Sequence, residues 1–311
     1  MQNRLLVAAL AAVLVAASAP ALAQSAPKPY IMMTGGTTGT YFQLGKEMHA
    51  ACGTEHPFES KVSESGTLGN IEYILTNQAE MGIVQHDGLE LLARKNKDVK
   101  DRIFTLLPLH PEEIHFITKA APRKEGGLMG VGATEVTLNN VTDLKKRKVG
   151  AWGGGIVTSQ IVNTIALIGW ESVELKSADE AIAALNGGHI DAILAVGGQP
   201  LGWVQKLNRD YKLLEVPDQI AKMLDAVYSR ATVSYRNLGQ EGVPTISVDA
   251  LLVTRNYTSA SHVKRLVDLR NCVASKIDEI RDERGTHPKW QVIDPTRGAK
   301  WQMFPPEKPK S

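Results

Sequence analysis

The sequence is poor in cysteine, in aromatic residues and in charge of one sign. Two of its 311 residues are cysteine, and Phe, Trp and Tyr together make up 5%. Lys and Arg number 35 against 33 Asp and Glu, which gives a formal net charge of +2. Nucleic-acid-binding domains usually carry a clustered basic excess, so we expect no nucleic-acid partner.

The two cysteines, Cys52 and Cys272, are compatible with one disulfide if the chain reaches an oxidising compartment. They are equally compatible with two buried free thiols, because Cys52 lies on the apolar stripe of Tyr41, Leu44 and Met48. A bridge would tie the first helix of the mature chain to the last one. The sequence leaves both alternatives open.

Long apolar runs are absent after residue 23, so no later segment predicts a membrane span. Residues 1–23 carry one charge at Arg4, an apolar stretch over 5–17 and small residues at 21–23. This layout is typical of a secretory signal peptide with cleavage before Gln24. We therefore expect a soluble, exported protein.

What the sequence does contain is a regular alternation of short apolar runs and helical patterns. Strands are predicted at 30–34, 58–63, 81–85, 103–109, 113–119, 145–152, 172–176, 191–196, 212–216 and 245–255. Helices are predicted at 41–52, 67–78, 87–95, 158–169, 178–187, 200–208 and 260–282. This alternation predicts an α/β fold with mainly parallel sheets flanked by helices.

A Gly-rich connection at 120–142 divides the pattern into two sets, and a late return strand follows near residue 243. We therefore predict two lobes, with lobe 1 formed by 28–118 plus 245–311 and lobe 2 by 119–244. The tail, 285–311, holds five prolines, and we expect it to run over a surface without regular structure.

Glycine and hydroxyl residues cluster where predicted strands pass into helices. The run TGGTTGT (34–40) has this position, and the first turn of a helix leaves unpaired N–H groups with a partial positive charge. Glycines allow a ligand to approach that backbone closely. For one isolated turn, simple helix capping is the better explanation. The phosphate motifs GxxxxGK[ST] and GxGxxG do not fit the run.

The same kind of turn recurs at SESGTLGN (63–70), AWGGGIVTS (151–159) and GGQP (197–200). Four such turns, two in each predicted lobe, favour a ligand site between the lobes over capping alone. A site made of helix starts and hydroxyls suits a carboxylate, phosphate or sulfonate.

Several motifs, in order along the chain, resemble the TAXI family of solute-binding receptors of TRAP-type transporters. They are GGTTGTYFQLGKEM, SGTLGNIEYILTNQAEMGIVQHD, LHPEEIHFI, DLKKRKVGAW and LNGGHIDAILAVGGQPLGWVQKL. The resemblance implies a two-lobed periplasmic binding protein of type II with a cleft between the lobes. It also implies a small organic acid as ligand (glutamate, 2-oxoglutarate or another dicarboxylate), TRAP-type permease subunits as partners, no cofactor, a monomer and a periplasmic location.

The ligand contacts predicted from these turns and from the resemblance lie on both lobes. The lobe 2 turn at 152–157 differs from the family's usual Gly-Ser-Gly-Thr-like turn, since it contains a Trp and three glycines. The predicted contacts are Gly36, Thr38, Thr40, Tyr41, Ser65, Thr67, Gln85, Trp152, Gly155, Thr158 and Gln199.

The sequence gives less support to a metal site or to an enzyme active site. His86, His110 and His115 do not have the i, i+4 spacing of two metal ligands on one helix face, so structural roles are favoured over a metal site. No nucleophile elbow is present, and neither cysteine has the surroundings of a reactive thiol. We therefore expect no enzyme, and the alternatives kept open are a periplasmic ligand sensor and an exported enzyme using the same cleft.

Overall fold

The computed structural model describes residues 28–37, 39–63, 66–126 and 134–305. The expected signal peptide and the predicted contacts Thr38 and Ser65 lie outside these ranges. Within them, none of the helices combines the length and the apolar composition that crossing a bilayer requires.

Strands and helices alternate through most of the chain, as the sequence predicts. The strands are β1 (Tyr30–Met33), β2 (Phe58–Lys61), β3 (Met81–Gln85), β4 (Ile103–Lys119), β5 (Arg123–Glu125), β6 (Thr134–Val136), β7 (Lys148–Ala151), β8 (Glu171–Glu174), β9 (Ala192–Val196), β10 (Tyr211–Leu213), β11 (Ser229–Tyr235) and β12 (Gln240–Arg255). The α-helices are α1 (Thr40–Cys52), α2 (Gly66–Leu75), α3 (His86–Lys95), α4 (Asp98–Arg102), α5 (Gly154–Ala166), α6 (Ala178–Asn186), α7 (Asp218–Met223), α8 (Ala260–Ser275) and α9 (Ile277–Asp282).

The main sheet has the strand order β2-β1-β3-β12-β4-β9-β7-β8. Its two ends are parallel, because β1 pairs in parallel with β2 and β3, and β7 pairs in parallel with β8 and β9. In the middle, β12 is antiparallel to β3 and β4, and β4 is antiparallel to β9. Each end is therefore a small α/β unit, and the antiparallel strands join the two units.

The strands β4 and β12 pass from one unit to the other. On β4, Leu109 packs in the core around β1–β3, whereas Ile114 packs in the core around β7–β9. On β12 the change falls between Val248 and Ala250. We call the unit around β1–β3 lobe 1 and the unit around β7–β9 lobe 2. The lobe boundaries given from the sequence stay a prediction.

The helix α1 carries the apolar stripe that the sequence predicts. Leu44, Met48 and Cys52 are buried on its core face. Cys52 forms a disulfide with Cys272 on α8, across a sequence separation of 220 residues. Of the two alternatives left open, the structure therefore contains the bridge.

The expectation of an irregular surface tail is wrong for its described part. A short 3₁₀ helix forms over Pro288–Val292, and Trp290, Trp301 and Phe304 are buried in lobe 1. Thr105 of β4 exchanges backbone hydrogen bonds with this tail, since its N–H donates to the Gln302 carbonyl at 2.7 Å. Buried aromatic rings contribute enough apolar area to hold a proline-rich segment in place.

Three further element predictions need correction. The strands predicted at 103–109 and 113–119 form one continuous strand, β4. The helix predicted at 200–208 is reduced to a 3₁₀ turn at Val204–Lys206, and Gly202 within the predicted segment disfavours an α-helix there. The helix predicted at 260–282 is interrupted at Lys276, where the backbone leaves the helical region (φ −103°, ψ 6°). The sequence prediction contains no counterpart for five elements, α4, β5, β6, α7 and β11.

Candidate functional site

A cavity of about 600 Å³ lies between the two lobes. Its lobe 1 wall consists of the starts of α1 and α2, the end of β3, Glu112 on β4 and the tail segment 287–289. Its lobe 2 wall consists of Gly154 at the start of α5 and the turn 197–201 after β9. The walls therefore come from segments that are far apart in the sequence.

The start of α1 opens onto the cavity through Gly39, Thr40 and Tyr41. Gly39 is extended (φ −87°, ψ 156°), and its N–H donates to the Gly36 carbonyl at 2.8 Å. Gly39, the N-cap residue, provides no side-chain cap for this helix. The amides of its first turn and the positive end of its dipole therefore face the cavity, which favours a negatively charged group.

The start of α2 brings Gly66 and Thr67 to the same wall. Gly66 has a positive φ of 56°, which a glycine adopts without strain. The Thr67 hydroxyl accepts a hydrogen bond from the N–H of Gln85 at 3.0 Å, so α2 and β3 are held together where they meet the cavity. Gly88 must stay a glycine, since an added Cβ would lie 2.2 Å from Thr67 Cγ2.

The two walls touch at Gln85 and Gly154. The Gln85 side chain is buried at the end of β3, and a Cβ added to Gly154 would lie 2.0 Å from its Oε1. The glycine at the start of α5 therefore allows a lobe 1 amide to reach the backbone of lobe 2. Both residues line the cavity.

The lobe 2 turn is fixed through Gln199. Its side-chain Nε2 donates to the Thr232 carbonyl at 2.8 Å, and its Oε1 accepts from the Ser234 N–H at 3.0 Å. Its backbone N–H donates to Glu113 Oε2 at 2.8 Å. The Gln199 amide therefore pairs with β11, and the turn presents mainly backbone to the cavity.

A second set of bonds holds the next residue of this turn. The Leu201 N–H donates to the hydroxyl of Tyr235 at 2.8 Å, and that hydroxyl lies 2.9 Å from His115 Nε2. Burial lowers the pKa of His115 to about 4, so the imidazole is neutral at physiological pH. Its Nδ1 lies 3.0 Å from the Glu113 carbonyl, and because a carbonyl can only accept, Nδ1 carries the ring proton. Nε2 is therefore unprotonated and accepts a hydrogen bond from the Tyr235 hydroxyl.

The lobe 1 wall contains the acidic side chain of Glu112, which is not among the contacts predicted from the sequence. The Tyr41 hydroxyl donates to Glu112 Oε2 at 2.8 Å. Burial, and next the Glu112 carboxylate, raises the pKa of Tyr41 well above its ordinary value, so Tyr41 remains a neutral donor. The signal for Glu112 was the polar interruption of an otherwise apolar strand.

The tail supplies His287 and Lys289, which the sequence analysis also missed. The Lys289 ammonium donates to the Pro111 carbonyl at 3.1 Å and lies 3.7 Å from Glu113 Oε2. His287 Nε2 lies 3.2 Å from Thr40 Oγ1. These residues reach the cavity through tertiary packing, for which the tail sequence gives no local signal.

The structure places five of the predicted contacts around the cavity, namely Thr40, Tyr41, Thr67, Gln85 and Gln199. Gly36 is not one of the wall residues, although Gly35 and Gly39 are, and its carbonyl accepts the N–H of Gly39. The role of these five residues and of Gly36 in ligand binding stays a prediction. The side chain of Gln199 is already hydrogen-bonded to β11.

Three predicted contacts lie away from the cavity wall. The Trp152 ring packs edge-on against Trp203 at 5.6 Å between centroids, and Gly155 packs against the backbone of β9. Thr158 is fully buried one turn further along α5. Their positions on α5 and before it give them packing roles because only the first residue of that helix, Gly154, lines the wall.

Thr158 belongs to a buried contact between the lobes. Its hydroxyl donates to Asp87 Oδ2 at 2.5 Å, and the Tyr228 hydroxyl donates to the same oxygen at 3.0 Å. Burial raises the pKa of Asp87 to about 6, although both hydrogen bonds oppose the shift. The helices α3 and α5 therefore meet through a titratable group.

Two of the three histidines considered as metal ligands, His86 and His115, lie within hydrogen-bond distance of other groups. His115 bonds to Tyr235 as described, and His86 Nδ1 lies 3.1 Å from the Val227 carbonyl. His110 is buried beside Tyr41 and lies 3.7 Å from Glu112 Oε1. Over the described ranges, no group of three or more His, Cys, Asp or Glu side chains could hold a metal ion.

Taken together, the two α/β lobes, the two crossing strands and the cleft between them define a two-lobed periplasmic binding protein fold of type II, as the sequence predicted. A sequence profile of the NMT1-like family matches residues 32–271. The chain belongs to this NMT1-like family. This match shows the NMT1-like family and does not show the narrower resemblance to TAXI receptors.

Among solved structures, a protein from Archaeoglobus fulgidus has a TM-score of 0.50 at 13% identity, covering 86% of this chain and 83% of its own. The arginine-, lysine-, histidine-binding protein ArtJ from Geobacillus stearothermophilus gives 0.49 at 12%, with 84% and 97% covered. The GluR0 ligand-binding core from Nostoc punctiforme, in complex with L-glutamate, gives 0.44 at 12%, with 80% and 94% covered. At 13% identity the similarity to the Archaeoglobus fulgidus protein concerns the fold and not the ligand.

Proposed function

We propose that this chain is a solute receptor that closes its two lobes on a small acidic ligand and delivers it to a membrane transporter. The observation that supports this most directly is the cavity of about 600 Å³ with helix starts from both lobes on its walls. That volume falls in the usual range for small-molecule sites, about 300–1,000 Å³. The uncapped start of α1 suits a carboxylate.

The ligand that fits the charges best is an acidic amino acid such as glutamate. The first turns of α1 and α2 suit its carboxylate, and Glu112 suits its ammonium group, because an amine donates N–H groups that a carboxylate accepts. A dicarboxylate without an ammonium group, such as 2-oxoglutarate, would leave the Glu112 carboxylate without a cation to pair with. We therefore place glutamate before 2-oxoglutarate within the ligand class predicted from the sequence.

Closure is the proposed mechanism. A ligand shifts the open–closed balance only if it binds the closed form more tightly, which here requires contacts with both walls. Gly154 and the turn 197–201 are the parts of lobe 2 that would complete such a site. The closed form would then be recognised by the transporter.

The partner and the location follow from the resemblance to TAXI receptors. We propose TRAP-type permease subunits as the partner and the periplasm as the location, reached through the predicted signal peptide. The protein would act without a cofactor and without turnover of its ligand.

A thermal-shift screen with L-glutamate, L-glutamine, 2-oxoglutarate and succinate tests the proposal. Binding should raise the free energy of unfolding by about 2.7 kcal/mol at a hundredfold excess over the dissociation constant. Mass analysis of the ligand after incubation separates a receptor from an enzyme, since a receptor returns it unchanged. Absence of stabilisation by every compound would contradict the proposal.

A further inference from the structure

The tail is built into the lobe 1 wall by a buried carboxylate of α1. Trp290 is fully buried, and its Nε1 donates to Glu47 Oε2 at 2.6 Å. The backbone N–H of His287 donates to Glu47 Oε1 at 2.9 Å, and the Gln43 amide donates to the same oxygen at 2.7 Å. A buried carboxylate is costly unless it is hydrogen-bonded, so these bonds fix the tail at the cavity.

His287 joins the tail to the start of α1. The Lys289 N–H donates to His287 Nδ1 at 3.1 Å, so in the neutral ring Nε2 carries the proton. That Nε2–H therefore donates to Thr40 Oγ1, which lies 3.2 Å away. The Thr40 hydroxyl then keeps its own O–H free to donate into the cavity.

Lys289 spans the cleft from the tail to lobe 2. Its side chain has 14% of its surface exposed and lies 3.7 Å from Glu113 Oε2. It passes directly over Gly198 of the lobe 2 turn, because a Cβ added there would lie 1.7 Å from Lys289 Cε and 1.9 Å from Nζ. The contact requires a glycine on one side and a long flexible side chain on the other.

The ammonium group of Lys289 retains donor capacity. A lysine has three N–H groups, and here one hydrogen bond goes to Pro111 and one ion pair is made with Glu113. Among the described residues of the cavity wall, Lys289 is the one Lys or Arg, and Glu112 is the acidic one. The wall therefore carries one charge of each sign in addition to the helix starts.

We propose that Lys289 determines specificity by binding the second acidic group of the ligand, so that the C-terminal tail selects acidic over neutral amino acids. This inference rests on the proposed function of the cleft. The helix starts would take the main carboxylate and Glu112 the ammonium group. The distal carboxylate would complete the donor set of Lys289 beside Gly198.

The test compares L-glutamate with L-glutamine by isothermal calorimetry, because the two differ only in a carboxylate against an amide. The native protein should prefer glutamate. Lys289→Gln should weaken glutamate binding by about tenfold or more and leave glutamine binding nearly unchanged, since charged hydrogen bonds contribute more than neutral ones. Lys289→Arg should retain part of the preference.

Two further variants complete the design. Gly198→Ala should also reduce the glutamate preference because its methyl group displaces the Lys289 side chain without removing the charge. Lys264→Gln is the matched control, since it removes the same charge from a lysine that is 75% exposed. Urea unfolding without ligand verifies that each variant is folded.

An unchanged ratio of glutamate to glutamine affinity in both Lys289→Gln and Gly198→Ala would overturn the role of Lys289 while leaving the receptor function intact. Failure of the native protein to bind either amino acid overturns this inference. If 2-oxoglutarate and succinate also fail to bind, the proposed function is overturned with it. The two failures are thus distinguishable.

Discussion

The two walls of the cleft are built differently. Each wall contains a helix start whose N-cap glycine provides no side-chain cap, α1 in lobe 1 and α5 in lobe 2. The lobe 1 wall adds two charged side chains, Glu112 and Lys289. In the lobe 2 wall, Gln199 bonds to β11 and Leu201 bonds to Tyr235, so the turn meets the cavity with its polar side chain already paired. Under the proposed function, lobe 1 would select the ligand and lobe 2 would close over it as a preformed surface.

The largest expected effect tests how firmly the lobe 1 wall is anchored. Trp290→Ala should lower the free energy of unfolding by about 3–5 kcal/mol, because it removes a fully buried aromatic side chain. Urea unfolding followed by circular dichroism measures the change.

The matched variant in lobe 2 is Trp203→Ala. That ring is half-buried beside Trp152, so its loss should cost clearly less. Equal losses for the two variants would contradict the view that the tail is a structural part of the first wall.

A second experiment concerns the buried contact between the lobes. The pKa of Asp87 is raised from 3.8 to about 6, so the folded protein holds this proton more tightly than the unfolded chain. Its stabilising contribution is therefore full below pH 4 and is lost as the pH rises through 6, an effect of about 3 kcal/mol.

Asp87→Asn removes this titration and keeps an oxygen for Thr158 and Tyr228. Only the native protein should lose stability through this group as the pH rises from 4 to 7. The free energy of unfolding of the variant minus that of the native protein should therefore increase over this range, as measured by urea unfolding at each pH. A pH-independent difference between the two proteins would show that Asp87 does not titrate in this range.

A third experiment addresses the charge of the lobe 1 wall. Glu112→Gln should weaken glutamate binding by about tenfold to a hundredfold, because it removes the anion proposed to pair with the ammonium group. Calorimetry provides the measurement, and Glu72→Gln on the exposed face of α2 serves as the control. Unaltered affinity in Glu112→Gln would remove the carboxylate from the proposed site.

The smallest effect on binding is expected in lobe 2. Gln199→Ala deletes two side-chain hydrogen bonds to β11 and should weaken glutamate binding by only about threefold, since the backbone of the turn remains. Calorimetry on the same ligand allows direct comparison with Glu112→Gln. A loss as large as that of Glu112→Gln would mean that the Gln199 side chain, and not the turn backbone, contacts the ligand.

Local patterns predicted the part of the site that lies close to a strand end. Thr40, Thr67 and Gln85 each follow or end a short apolar run, and parallel strands bring such ends to one edge of a sheet. The alternation of strands and helices likewise predicted the α/β class and most element positions within a few residues.

The remaining site residues depend on contacts between distant segments. Glu112 reaches the cavity because β4 continues unbroken past Pro111, and Lys289 reaches it because Trp290 is bound to Glu47, 243 residues earlier. The helix expected at 200–208 fails to form where Gln199 pairs with β11, a strand with no sequence prediction. Periodicity reports on neighbours along the chain and carries no information about such partners.

The bridge between Cys52 and Cys272 encloses residues 52–272 in one covalent ring. A protease that cuts one exposed loop inside this ring, such as the turn at Gly239 between β11 and β12, would open the backbone without releasing a fragment. On a denaturing gel the nicked protein would run as a single species until a reducing agent is added, and then separate into two bands. Clipped molecules would therefore stay hidden in any preparation that is analysed only under oxidising conditions.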